Sequence, residues 1–307
     1  MNVYVGVTDS KWFGLLAQLK PDEVNFWRPG GARGFHVLEP GEPFLFKLHA
    51  PDNYIAGGGF FVRHTALPVS LAWAAFAEKN GAPSLEVLQG MIAQHRSDDH
   101  PDPSIGCTIL TQPFFFPREM WIPVPADWKN NVVQGKGYPT ESAAGSLLWA
   151  AVQERLATAG VSQGIIIGPD PNQPRYGKEF LTRARLGQGA FRVLVTDAYD
   201  RRCAATGERT LPVLEASHIR SFAKAGPNLV SNGLLLRSDL HTLYDQGYLT
   251  VTADHHIEVS RRIREEFQNG RHYYDLHGKP LVNLPEDPDD HPSREFLEWH
   301  NQHLYVA

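Results

Sequence analysis

Cysteine is scarce in this chain: Cys107 and Cys203 stand far apart and have no others beside them. That excludes a disulfide framework and a four-cysteine zinc knuckle, and it points to a reducing compartment. Long apolar runs are also missing, none approaching the roughly 18 residues that a membrane span requires. The opening residues, MNVYVGVTDSKW, lack a positive stretch followed by a long apolar one, so no secretory leader and a cytoplasmic location are expected. Repeats and low-complexity tracts are absent. Positive charge is in short supply too, with a net charge of −5 where phosphate-binding proteins usually carry a basic footprint.

What is present is ordinary in bulk and uneven in distribution. The chain has 307 residues, 42% hydrophobic and 21% charged, enough for a sizeable core and for two domains. Residues 175–237 hold 11 Lys and Arg against 5 Asp and Glu, whereas residues 1–173 hold 12 against 16 and residues 254–307 hold 6 against 11. The basic residues therefore gather in one stretch, which suits a phosphate-facing surface.

Along the chain, residues 3–7 read as a strand and 11–19 as a helix, with Asp9 or Ser10 as its N-cap. Residues 44–49 and 55–63 read as strands joined by a turn at Pro51-Asp52-Asn53. Gly57-Gly58-Gly59 inside the second predicts a bulge or a close backbone approach. Helices follow at 69–79 and 85–94, strands at 105–111 and 114–116, and a helix at 143–159. Residues 165–167 are a short apolar run. Three prolines in the six residues 169–174 make a stiff, exposed linker, and the domain boundary is placed there, giving domains 1–170 and 175–307. Beyond it come a helix at 188–199, a hairpin-like pair of 203–207 with 213–218, a long loop, and an apolar stretch at 234–236. A short helix at 239–245, strands at 248–252 and 256–260, and an amphipathic tail helix at 294–304 complete the reading.

The chemistry concentrates between Glu215 and Asp245. Cutting a phosphodiester needs an activated water and charge neutralisation on the phosphate and the leaving oxygen; a histidine base with one divalent ion supplies both. His218 closes a strand, where its ring is held as a general base. His241 and Asp245 are four apart on the predicted helix, on one face and within reach of a common ion. Imidazole plus carboxylate suits Mg²⁺ or Mn²⁺, and also Ni²⁺ or Zn²⁺. Asn232 lies in the intervening loop, where its amide can pin the loop beside the His218 strand. Arg185, Arg192, Arg201 and Arg202 are phosphate-contact candidates by charge density.

In this stretch the chain resembles the HNH endonucleases of the ββα-metal (His-Me finger) class, in their bacterial restriction-type branch. The resemblance runs from about residue 183 to the end. It is carried by Arg185-Leu-Gly-Gln188, Phe191-Arg192, Cys203-Ala-Ala-Thr-Gly207, Ala216-Ser-His218-Ile219, Asn232-Gly-Leu-Leu-Leu236 and Leu240-His241 with Asp245 and Gly247, and further on by Tyr273–Pro280 and Leu297-Glu-Trp-His300. It implies His218 as general base, Asn232 as the organising middle residue and His241, with Asp245, as metal ligands. Many HNH enzymes place Asp or His directly before the base. This chain has Ser217 there, a poor ligand that leaves the metal shell open. Each HNH module cuts one strand, so double-strand cleavage would call for a homodimer.

Residues 1–170 more faintly resemble PUA-like, EVE-type and YTH-type domains, β-barrel-type structures that hold a flipped or modified base. The resemblance rests on residues 4–9, the Asn25-Phe26-Trp27 patch and the strand pair at 44–59. It implies aromatic plates and a polar edge-reader; Trp12, Trp27 and Tyr54 are the stacking candidates, Asp9 and Asn25 the readers. The expectation is an α+β protein with an N-terminal PUA-like domain and a C-terminal HNH domain. Its expected activity is modification-dependent cleavage of double-stranded DNA, with no membrane partner. A non-catalytic nucleic-acid or nucleotide sensor on a degenerate HNH fold is the alternative, motivated by Ser217 and the acidic balance.

Overall fold

The structure, a computed structural model, describes residues 1–30, 34–98, 100–129, 131–159, 180–181 and 186–307. The proline-rich segment 169–174, the run 165–167 and Arg185 lie outside the described residues. The chain divides into two compact units, Met1–Ala190 and Phe191–Ala307. Among the described residues no helix is long and apolar enough to cross a membrane.

The first unit is built on a mixed sheet. Its strands are β1 (Asn2–Thr8), β2 (Glu23–Arg28), β3 (Pro43–Leu48), β4 (Tyr54–Pro68), β5 (Ser104–Phe115), β6 (Ile122–Pro123) and β7 (Gly135–Pro139). They pair in the order β2-β5-β4-β3-β1-β7, with β6 on β4 and with β1 and β3 parallel. That path does not return on itself, so among the described residues the sheet is open, and this corrects the expected barrel-type closure. Helices α1 (Ser10–Leu19), α2 (Val69–Phe76), α3 (Leu85–Ala93) and α4 (Ala143–Thr158) complete the unit.

Two details show how the sequence dictates the sheet. A Cβ on Gly57 would sit 2.3 Å from the Phe114 carbonyl oxygen, and one on Gly58 2.7 Å from the Phe114 ring. The glycines let β4 lie against β5 closely, and the register shifts between Gly58 and Phe60, as the sequence predicts. The Asn25-Phe26-Trp27 patch, for which no strand was expected, pairs in β2 with Ile109, Thr108 and Cys107 of β5. Phe26 and Trp27, with Val24 before them, suit a pleated surface, and packing against β5 makes the segment a strand. Phe26, Phe44 and Phe46 form the core with Trp12 of α1.

The second unit opens with α5 (Gln188–Ala198), which begins just before the division. An antiparallel pair, β8 (Leu214–His218) with β9 (Gly233–Arg237), leads into α6 (Ser238–Asp245). The register matches Leu214 with Arg237 and His218 with Gly233. The expected pairing of 203–207 with 213–218 is thus replaced. Residues 203–207 form a turn that Gly207 closes at φ 71, its N–H returning to the Cys203 carbonyl at 2.9 Å. Strands β10 (Leu249–Val251) and β11 (Ile257–Val259), short helices α7 (Arg262–Phe267) and α8 (Arg271–Tyr274), and the tail helix α9 (Arg294–His303) follow. Leu234, Leu235, Leu236, Leu240 and Tyr244 are fully buried and join β9 and α6 to one core.

Candidate active site

The strand β8, the loop 219–232, the strand β9 and α6 present four of the expected residues as one ββα arrangement. His218 stands at the end of β8. Its ring stacks on Phe191 of α5, centroids 3.8 Å apart and 11° from parallel, which holds the imidazole on the apolar core of the unit. Its Nε2 lies 2.8 Å from the Asn228 side-chain oxygen. Burial pushes the His218 pKa below its ordinary value, opposed by the Asn228 hydrogen bond and the Asp245 charge and reinforced by the His241 charge. The ring is therefore neutral near pH 7, the state a base requires.

Asn232 is fully buried and acts on the loop rather than on open solvent. Its side-chain oxygen accepts from the Arg220 N–H at 2.9 Å, and its amide donates to the Arg220 carbonyl at 3.0 Å and the Pro227 carbonyl at 2.8 Å. One side chain thus ties both ends of the loop that carries Asn228. Gly226 completes that clamp, since a Cβ there would meet the Arg220 carbonyl oxygen at 1.8 Å.

His241 projects from α6 between two carboxylates. Its Nδ1 is 2.6 Å from Glu215 Oε2 and its Nε2 3.2 Å from Asp245 Oδ2. Burial pulls its pKa down, but the hydrogen bonds and charges of Asp245 and Glu215 outweigh that, and the net displacement is upward. Nε2 and the Asp245 carboxylate face each other across a gap that a cation can enter in place of the proton. That fits a hard divalent ion such as Mg²⁺ or Mn²⁺, which keeps waters and takes further oxygens from phosphate. Among the described residues no group of three or more His, Cys, Asp or Glu side chains is arranged to hold a metal. Ser217 does not contribute: it is fully buried and its hydroxyl has no hydrogen-bond partner among the described residues.

The expected phosphate contacts fare differently. Arg201 pairs with Asp197 at 3.7 Å and Arg202 with Asp200 at 2.7 Å, while Arg192 lies on α5. Arg220, two residues past His218, was not singled out by charge density; its guanidinium lies over the Trp299 ring at 5.5 Å. Glu215 and Asn228 were missed as site residues as well. The signal for both was position, one on the His218 strand and one in the loop that follows it.

In the first unit, a cleft of about 850 Å³ is lined by Asp9, Trp12 and Trp27 together with Tyr4, Arg28, Phe35 and His64. Asp9 Oδ1 is engaged as the α1 N-cap, accepting from the Lys11 and Trp12 N–H groups at 2.8 Å each. Trp12 is only 2% exposed and edge-on to Phe26 and Phe46, so it belongs to the wall. Trp27 is half-buried and anchored through Nε1 to the Asn80 carbonyl at 2.9 Å. Asn25 is fully buried, donating to the Asn80 side-chain oxygen at 2.9 Å, and Tyr54 stands in a separate depression with Trp121 and Arg118. The polar group that sequence reasoning missed is Arg28, directly after the aromatic patch. It donates to the Tyr4 hydroxyl at 2.9 Å.

Comparison with known proteins gives a match over part of the second unit. Residues 203–252 match the HNH endonuclease family model. That segment contains His218, Asn232, His241 and Asp245, along with Glu215 and Asn228. No curated protein matches the chain. Among solved structures, a mutant ZmASCH protein from Zymomonas mobilis aligns at TM-score 0.32 and 9% identity, over 50% of this chain and 96% of that one. The modification-dependent TagI restriction endonuclease aligns at TM-score 0.28 and 14% identity, over 92% of this chain and 75% of that one. The type IV phosphorothioation-dependent restriction endonuclease ScoMcrA aligns at TM-score 0.19 and 11% identity, over 78% and 48%.

Proposed function

We propose that the protein is a metal-dependent DNA endonuclease of restriction type that hydrolyses phosphodiester bonds with His218 as general base. The observation that carries this reading is the convergence of His218, Asn232, His241 and Asp245 on one β-β-α segment within residues 203–252. Asn228 Oδ1 can only accept, so the His218 Nε2 carries the proton and Nδ1 keeps its lone pair. Nδ1 then takes the proton of the attacking water, while the Phe191 face keeps the ring from turning away. Asn232 keeps the loop closed so that Asn228 stays in place. His241 Nε2 and Asp245 would hold the divalent ion, which when bound neutralises charge on the phosphate and the departing oxygen.

The expected experiment is plasmid nicking with Mg²⁺ or Mn²⁺. His218→Ala removes the base and should abolish nicking while DNA binding is retained; equal nicking by variant and wild type sinks the mechanism. The second reading, a non-catalytic nucleic-acid sensor, draws support from the small donor set of His241 and Asp245 and from the buried Ser217. Wild-type protein that binds DNA and never nicks it, with either metal, would favour that reading.

The cleft of the first unit supports a target-selecting role, namely reception of an extruded, modified base, with Trp27 as the stacking plate and Arg28 as the polar group at its edge. Comparing cleavage of plain DNA with DNA containing 5-methylcytosine, 5-hydroxymethylcytosine or N6-methyladenine tests modification dependence. If Trp27→Ala leaves binding to every one of these unchanged while the unit stays folded, the cleft is not the reader. Double-strand breaks would require two copies of the chain, and their dependence on protein concentration reports a homodimer.

A further inference from the structure

We infer that Glu215 is the positioning residue for His241: it accepts the Nδ1 proton and so turns Nε2 toward the cation position beside Asp245. This rests on the proposed reading of His241 as a metal ligand. An ionised carboxylate has no proton to give, so at 2.6 Å the hydrogen in the His241–Glu215 contact belongs to the imidazole Nδ1. The other nitrogen, Nε2, would then offer its lone pair to the cation, giving up to solvent any proton it carries, and Asp245, 3.2 Å away, would supply the neighbouring oxygen.

Glu215 starts from β8, the strand that ends in the base, whereas His241 starts from α6. A single hydrogen bond thus fixes the ligand helix to the strand of the base. Such outer carboxylates fix the tautomer and raise the basicity of a ligating imidazole. That help matters more here than in a site with three or four protein donors, because two donors alone leave the ring free to rotate. Ser217, the residue next to the base, is turned into the core with its hydroxyl unpartnered among the described residues. The acidic side chain of this strand that reaches the site is therefore Glu215, and it reaches the far side of the imidazole from Asp245. The Glu215 side chain is 44% exposed, so its replacement leaves the core intact.

The test uses the full chain without DNA. Mn²⁺ affinity is measured by calorimetry for wild type, Glu215→Ala and Glu215→Gln, and imidazole ¹⁵N shifts are recorded with Zn²⁺ as a diamagnetic probe. The expected result is Mn²⁺ binding weakened about 10- to 100-fold in Glu215→Ala. Glu215→Gln, which retains an acceptor oxygen, should recover part of the loss. The loaded wild type should show a protonated Nδ1 and a metal-bound Nε2 on His241, and Glu215→Ala a mixture of tautomers. Unchanged Mn²⁺ affinity in a folded Glu215→Ala overturns the proposal. So does binding through Nδ1, direct coordination by Glu215, or a wild type that binds no Mn²⁺. Because DNA is absent, wild type that binds metal in the stated way yet nicks nothing would overturn the nuclease and leave this role of Glu215 standing.

Discussion

The Asn228 side-chain oxygen lies 2.8 Å from the Nε2 of His218, and on the proposed reading it fixes which nitrogen the base offers. Asn228 belongs to none of the motif positions that give the family resemblance, yet it decides the tautomer. Asn228→Ala should lower nicking about 10- to 100-fold, the range typical for loss of a residue that orients a catalytic or ligating imidazole, with DNA affinity retained. The pH profile carries a sign. The Asn228 bond raises the His218 pKa against burial, so removing it moves the acidic limb of the rate profile to lower pH. Asn228→Asp adds a charge that favours the imidazolium and should move the limb upward. A limb that stays fixed in both variants would remove Asn228 from the base's surroundings.

The loop clamp makes a stability prediction. Asn232→Ala deletes three hydrogen bonds and leaves the Arg220 N–H without its acceptor, at a cost of about 2–4 kcal/mol. Gly226→Ala forces a Cβ onto the Arg220 carbonyl and should open the same loop from the other side. Urea melts measure the first. For the second, nicking should fall more steeply than the melting midpoint, because the loop rather than the core is displaced.

Ser217 makes the opposite prediction. Its hydroxyl is buried without a hydrogen bond among the described residues, so Ser217→Ala removes an unsatisfied group at nearly constant shape. The expected outcome is unchanged nicking and stability equal to or about 1 kcal/mol above wild type. A large loss of Mn²⁺ affinity in this variant would mean that Ser217 turns outward to the metal.

His300 is fully buried, stacked on Tyr244 at 3.8 Å, with Nε2 donating to the Tyr244 carbonyl at 3.0 Å and Nδ1 beside the Thr250 hydroxyl at 2.8 Å. Burial pushes its pKa down to about 4 from the ordinary 6.5. Between those values the unfolded chain binds the proton and the folded chain does not, so stability rises with pH across that window. The contribution is level above about pH 6.5 and is lost as pH falls toward 4, by about 3 kcal/mol from this one group. His300→Gln cannot titrate and should flatten that part of the stability curve. A wild-type curve already flat there would place the ring in contact with solvent.

Much of this was legible from residue order. Gly57-Gly58-Gly59 announced the tight β4–β5 approach, and His218, Asn232, His241 and Asp245 announced the ββα segment, because turn glycines and helix spacing are local signals. What escaped depends on pairing across distance. Which strand covers Glu23–Arg28 is not written in its own residues, and no strand was expected there. Residues 203–207 looked like a strand until Gly207 took a positive φ and left β8 to β9. Glu215 and Asn228 carry no spacing signature at all; they reach His241 and His218 only once strand, loop and helix have assembled.

The tail helix has a consequence in time. Through His300 it holds the Tyr244 carbonyl, one residue before Asp245, and the Leu304 carbonyl oxygen lies where a Cβ on Gly247 would fall, at 2.0 Å. The end of α6 is therefore braced by residues that leave the ribosome more than fifty positions after it. A chain still being translated presents His218, Asn232, His241 and Asp245 before the helix that braces α6 has been made. On the proposed reading, cutting would wait until α9 has been made and docked on α6.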